Sequence, residues 1–105
     1  MTTETNTDGR ALRKACRYFT TLAGYEVDGL RPGQIAQALD VQPATVTRDL
    51  RILEDEGFVE RVPGMDDRWR LGPKAIQIAR AHELGLERAR GRVKEVEQRY
   101  SRVPS

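Results

Sequence analysis

Two prolines, Pro32 and Pro43, each stand at the head of a segment with helical spacing, and a chain built this way has few folds open to it. Proline favours a first helical position because its φ is already helical and the N–H it lacks would have no intrahelical partner. After Pro32, Ile35 and Leu39 fall one turn apart, flanked by Ala36 and Ala38, which are small enough to let a second helix cross closely. Asp40 ends that segment, and aspartate tolerates the left-handed backbone of a tight turn better than most side chains other than glycine. Val41 can plug the turn. After Pro43, Val46, Leu50 and Leu53 are spaced four and three apart, while Ala44, Thr47, Arg48 and Arg51 gather on the other side of a helical wheel. Gly57 is a natural stop for that second helix. Residues 31–56 therefore predict a short helix, a tight turn and a longer helix with one buried stripe and one polar, partly basic face.

The segments on either side read as support for this pair. Residues 1–8 are polar and are expected to be mobile. From Gly9 onward, Leu12, Ala15, Cys16, Phe19 and Leu22 follow the three-four rhythm of a buried helical face. On that face Cys16 packs as a small apolar residue. Arg10, Arg13, Lys14 and Arg17 lie on or beside the opposite side, and a solvated face is the simpler reading of them than direct nucleic-acid contact. Residues 23–30 hold two glycines and form a loop. After Gly57, Phe58 to Val62 and Arg68 to Leu71 are strand-like runs joined by a Pro-Gly-Met-Asp-Asp loop longer than a two-residue hairpin turn. Trp69 and Leu71 alternate there with Arg68 and Arg70, so one face can pack while the other carries guanidinium groups.

A final helix starts at Pro73 and runs to about Tyr100. Leu86, Ala89, Val93, Val96 and Tyr100 step three and four residues at a time, and the same register extended backward collects His82, Ala79 and Ala75. This is a short heptad seam suited to a second copy of the helix. Ile76, Ile78 and Leu84 fall outside the seam and are free to pack on the preceding domain. The expected fold is mainly α with a small two-stranded β-wing: a winged helix-turn-helix over residues 9–72, followed by a C-terminal helix over 73–105 acting as a dimerisation arm.

Composition narrows the function classes. With 18 Lys and Arg against 16 Asp and Glu the net charge is only +2, so a nucleic-acid surface must come from where the charges sit. One cysteine and one histidine, Cys16 and His82, exclude an intrachain disulfide and a thiolate zinc cluster, and no metal or cofactor is expected. There is no phosphate loop and no nucleophile–base pair, so no catalytic residue is assigned and no enzyme is expected. No apolar run approaches the roughly 20 residues that span a bilayer. The polar N-terminus has no secretory signal, and the expected location is the cytoplasm.

Several short motifs, taken in order, carry a family resemblance. They are Gly29-Leu30, Gln34-Ile35-Ala36, the core Thr45-Val46 with Arg48 and Leu50, Leu53-Glu54 with Gly57-Phe58, and the run Arg-Trp-Arg-Leu-Gly-Pro-Lys from Arg68 to Lys74. From about Leu12 to Leu86 the chain resembles the winged helix-turn-helix domain of IclR-type bacterial transcription regulators. It departs from that pattern at Asp40, where a turn glycine is usual, and at Asp49, an acid on the reading helix that lowers the positive potential beside Arg48 or pairs with it. The chain ends at Ser105 without the ligand-sensing domain of such regulators. Metabolite sensing is therefore not expected, and a stand-alone, prophage-type regulator is, with repression as the default expectation.

The resemblance implies double-stranded DNA as partner and gives the residues roles. Arg48 is the first candidate for a base-edge contact, since an arginine fork matches guanine O6 and N7. Thr45 and Thr47 reach a phosphate or a thymine methyl, with Ala44 beside them, and Gln42 reaches an adenine or a phosphate. Arg51, a turn further along, is assigned to the DNA backbone. Arg61, Arg68 and Arg70 on the wing are candidates for flanking phosphates or the minor groove. His82, Leu86, Ala89, Val93, Val96 and Tyr100 would pair two copies on two half-sites. The competing expectation is a winged-helix adaptor that binds another protein through the C-terminal arm.

Overall fold

The computed structural model describes residues 2–104, with side-chain surroundings for residues 9–65 and 67–104. The chain divides into two compact units, residues 1–75 and 76–105. Four helices and one hairpin follow in the order α1 (Thr2–Leu22), α2 (Pro32–Leu39), α3 (Pro43–Asp55), β1 (Val59–Val62), β2 (Met65–Leu71) and α4 (Pro73–Arg99). Helix, helix-turn-helix and antiparallel hairpin in this order make a winged helix, with a long C-terminal helix after it. No helix among the described residues is long and apolar enough to cross a membrane.

The helix-turn-helix begins and ends where the prolines and the turn aspartate place it. Pro32 and Pro43 open α2 and α3. Asp40 holds φ 58° and ψ 50°, and its N–H donates to the Ala36 carbonyl. At the start of α2 the Arg31 N–H donates to Gln34 Oε1 at 2.9 Å, satisfying one donor of the helix entry. Ile35, Ala36 and Leu39 of α2 meet Val46 and Leu50 of α3 in the core, together with Tyr18, Leu22, Leu30, Val59 and Trp69. Ile35, Val46 and Leu50 are fully buried, each contributing roughly 1.5–3 kcal/mol by removal from water. Truncating one of them, Leu50→Ala for instance, costs about 2–5 kcal/mol because the cavity left behind cannot fully collapse.

Helix α1 departs from the reading of its sequence in extent and in face. It begins at Thr2, so residues 2–8, expected as a mobile N-terminus, are helical. Polar residues without proline lengthen a helix at a cost of only tenths of a kcal/mol each. Its buried side is lined by Tyr18 and Leu22, with Lys14, Ala15 and Phe19 half-buried. Leu12 is 70% exposed and Cys16 is exposed, so neither packs as expected. The apolar rhythm fits two adjacent helical faces almost equally well. The face containing Tyr18 buries a larger ring, and its hydroxyl finds a partner. Phe19 still contributes, with its ring 5.5 Å from that of Phe58 at the entry to the hairpin.

The hairpin is tighter than the loop expected from its sequence. Strand β2 starts at Met65, so the turn is the Pro63-Gly64 pair, with Gly64 at φ 78°. Proline followed by a glycine of positive φ is the combination a type II turn demands. Val59, Glu60 and Arg61 pair with Leu71, Arg70 and Trp69, and an irregularity between Arg61 and Val62 shifts Val62 onto Met65. Leu30 adds one further rung: its N–H donates to the Trp69 carbonyl, and the Trp69 N–H donates back, both at 2.8 Å. This rung brings the backbone of Gly29 (φ 65°) so close to Trp69 that a Cβ would lie 2.3 Å from the Trp69 carbonyl oxygen. Gly72 is equally confined, with a Cβ there falling 2.7 Å from the Gly57 carbonyl oxygen.

Candidate nucleic-acid interface

Helix α3 is held from one side and open on the other. Val46 and Leu50 face the core, while Gln42, Ala44, Arg48 and Arg51 are exposed. Thr45 and Thr47 are half-buried, and the Thr47 hydroxyl donates to the Pro43 carbonyl at 3.3 Å. That bond leaves the Thr47 oxygen as an acceptor and its methyl as the group free to touch a neighbour. Arg48 and Arg51 have no carboxylate within 4 Å among the described residues. An exposed arginine pair one turn apart on α3 presents two hydrogen-bonding forks to whatever covers this face.

Asp49 does not weaken this face. It turns inward, where Asp49 Oδ2 accepts the Tyr18 hydroxyl at 2.8 Å and lies 2.9 Å from Lys14 Nζ. The neighbour expected for it, Arg48, is not its partner. Tyr18 is 1% exposed, and its hydroxyl is pushed well above the ordinary tyrosine value by burial, then by the hydrogen bond to Asp49 and by the negative charge of that carboxylate. The acid thus ties α3 to α1, and its charge is balanced there. Tyr18 was not among the residues singled out from the sequence, and Lys14, expected on a solvated face, is instead half-buried against Asp49. The only local signal was an acid at a position of α3 that faces neither the core stripe nor the arginine row.

The wing arginines divide into occupied and open. Arg70 Nε donates to Glu60 Oε2 at 2.8 Å, and its Nη1 reaches the Val27 carbonyl at 3.2 Å and the Glu26 carbonyl at 3.5 Å. It fastens the 23–30 loop to the hairpin, and its forks are used within the chain. Arg61 lies over the Trp69 ring, 4.7 Å from its centroid, and 3.8 Å from Glu54. A stacked guanidinium of this kind contributes about 0.5–1 kcal/mol and still exposes one edge. Arg68 is half-buried and has no ion-pair partner among the described residues. Arg31, at the head of α2, bonds Asp67 of the hairpin at 3.0 Å; both side chains are largely exposed, so the pair adds little stability. Trp69 is 3% exposed and belongs to the core, as its alternation with the arginines indicates.

In the second unit no residue of α4 is buried. Leu86, Val93, Val96 and Tyr100 are 44–73% exposed, Ala89 is half-buried, and His82 is exposed. Ile76, Ile78 and Leu84 are exposed as well. Arg80 pairs with Glu83 one turn away, at 3.4 Å. Among the described residues no group of three or more His, Cys, Asp or Glu could hold a metal ion.

Residues 25–69, from the loop after α1 to the middle of β2, match the model of the MarR family. A solved structure of a ZitR mutant from Lactococcus lactis is similar at 22% identity and a TM-score of 0.48, over 83% of this chain and 60% of that one. The chain therefore spans less than two thirds of the length of that structure. No curated protein matches. The helix-turn-helix and hairpin of this chain thus form a winged helix similar to that of the MarR family, and the IclR type that its motifs suggested is not what the family model matches.

Proposed function

We propose that this protein is a sequence-specific, double-stranded DNA-binding transcription regulator that works as a homodimer. One observation carries the reading: Arg48 and Arg51 stand exposed on the outer face of α3 without an ion-pair partner among the described residues, while the acid between them, Asp49, is turned away and neutralised by Lys14. In this reading α3 enters the major groove by its N-terminal half. Arg48 addresses a guanine, Gln42, Ala44, Thr45 and Thr47 line the contact, and Arg51 takes a phosphate. Arg68 and the open edge of Arg61 grip the flanking backbone. Arg70 is left to its structural role.

A single winged helix reads few base pairs, and two copies joined along Leu86, Ala89, Val93, Val96 and Tyr100, with His82 at the same seam, would read two half-sites. In this reading a bound dimer that covers its site acts as a repressor, and its place of action is the cytoplasm. The likeness of Arg68 to Lys74 to the IclR-type wing stays a finer proposal within this reading. Selection of bound duplexes from a random pool tests it. Recovery of a two-fold symmetric consensus is expected. Failure to retain any duplex at low salt would overturn the reading in favour of a protein-binding adaptor.

A further inference from the structure

Four cations of α1, Arg10, Arg13, Lys14 and Arg17, line one open groove of about 720 Å³ with Leu39, Asp40 and Val41 of the α2–α3 turn. Spaced at three and four residues, they share one face of the helix. The turn they border leads directly into Gln42 and Pro43, the end of α3 that a helix-turn-helix directs at base edges. Arg17 is held against the turn by a long contact from its Nη2 to the Ala38 carbonyl, 3.5 Å. Lys14 is engaged by Asp49 at 2.9 Å, and Arg10, Arg13 and Arg17 are exposed. Among the described residues the one acid on the rim is Asp40. A helix rises about 1.5 Å per residue, so the arginine stripe from 10 to 17 is roughly 10 Å long. Successive phosphates of one DNA strand are displaced by about 3.4 Å along the duplex axis, so a stripe of this length reaches about three or four of them.

We infer that Arg10, Arg13 and Arg17 form a second DNA-backbone contact, outside the helix-turn-helix and the wing, which takes phosphates flanking the half-site read by α3. The inference rests on the DNA-binding reading and extends its footprint beyond the reading helix. Lys14 is excluded from the contact set because its charge is spent on Asp49. The patch adds grip without base discrimination, since it meets only phosphates.

The test is the salt dependence of duplex binding by the full chain, measured by anisotropy on a selected site with and without flanking base pairs. Each phosphate contact adds about 0.9 to the slope of log K against log salt. The triple variant Arg10→Ala, Arg13→Ala, Arg17→Ala is expected to lose two to three in slope on the long duplex and to keep its base preference. It should respond to shortening of the flanks less than the parent does. The charge-preserving triple variant with lysine at the same positions is expected to retain the parent slope. This separates lost charge from damaged fold, as does an unchanged melting curve. A parent slope retained by the alanine variant on the long duplex overturns the inference, and is also what a patch serving a small free anion would give. Absence of duplex binding by the parent itself overturns the DNA reading on which it rests, a distinguishable failure.

Discussion

The hydroxyl of Tyr18 donates to Asp49 across 2.8 Å, joining helix α1 to helix α3 at a point 31 residues away in the chain. The ring is buried, and the carboxylate also receives Lys14. One carboxylate therefore satisfies a core hydroxyl, ties α3 to α1, and is turned away from the arginines beside it.

Asp49→Ala leaves the Tyr18 hydroxyl buried without an acceptor and is expected to cost about 1–3 kcal/mol of stability. Tyr18→Phe removes donor and need together and should cost less, near 1 kcal/mol. Urea unfolding of the two variants checks the order. A cost for Asp49→Ala no greater than for Tyr18→Phe would show that the bond does not hold the helices.

The raised Tyr18 value makes stability depend on alkaline pH, with a definite sign. An unfolded tyrosine loses its proton near pH 10, whereas the folded one keeps it well beyond. Above about pH 10 the unfolded chain therefore binds fewer protons, and stability falls by up to about 1.4 kcal/mol per pH unit. Below that pH the contribution is fully present. The stability difference between the parent and Tyr18→Phe should be flat from pH 7 to 9 and decline above 10; a difference that stays flat to pH 11 contradicts the assignment.

Arg48→Ala is expected to relax preference at one base position, a loss of roughly 1–3 kcal/mol of discrimination there. Arg51→Ala should weaken all duplexes alike and lower the salt slope by about one. Duplex selection with each variant distinguishes them. If Arg48→Ala returned the parent consensus, the specificity role would pass to another residue of the same face.

Gly29→Ala must place a Cβ against the Trp69 carbonyl at a positive φ, and Gly72→Ala must place one against the Gly57 carbonyl. Each is expected to lower stability by more than about 2 kcal/mol. Gly33, with open space around its Cβ position inside α2, is the control. Gly33→Ala should be neutral or stabilising by up to about 1 kcal/mol. Thermal melting ranks the three.

Val93→Asp places a charge in the middle of the α4 seam. If that row pairs two copies, sedimentation should shift from dimer to monomer at micromolar concentration, while the melting of the winged unit stays unchanged. A dimer that persists would move the interface elsewhere.

What could be read from the sequence was what depends on near neighbours in the chain. The prolines at 32 and 43, the aspartate at 40 and the glycine at 57 bound α2 and α3, because capping and turn conformation involve only a few residues. The inward stripe of Val46 and Leu50 and the outward arginines follow from the helical period. The alternation of Trp69 with Arg68 and Arg70 likewise marks one strand face as core.

Tertiary structure alone decided which of two similar faces of α1 is buried, since that depends on the partner it meets. It chose Tyr18 over Leu12 and Cys16 because Asp49, distant in the chain, accepts the tyrosine hydroxyl. The fates of the wing arginines were settled the same way. Arg70 is bound by Glu60 and by carbonyls of the 23–30 loop, and Arg61 lies over Trp69. Local order sets the period of each element. The pairing of a charge or a buried hydroxyl with its partner is set by where the fold brings distant residues together.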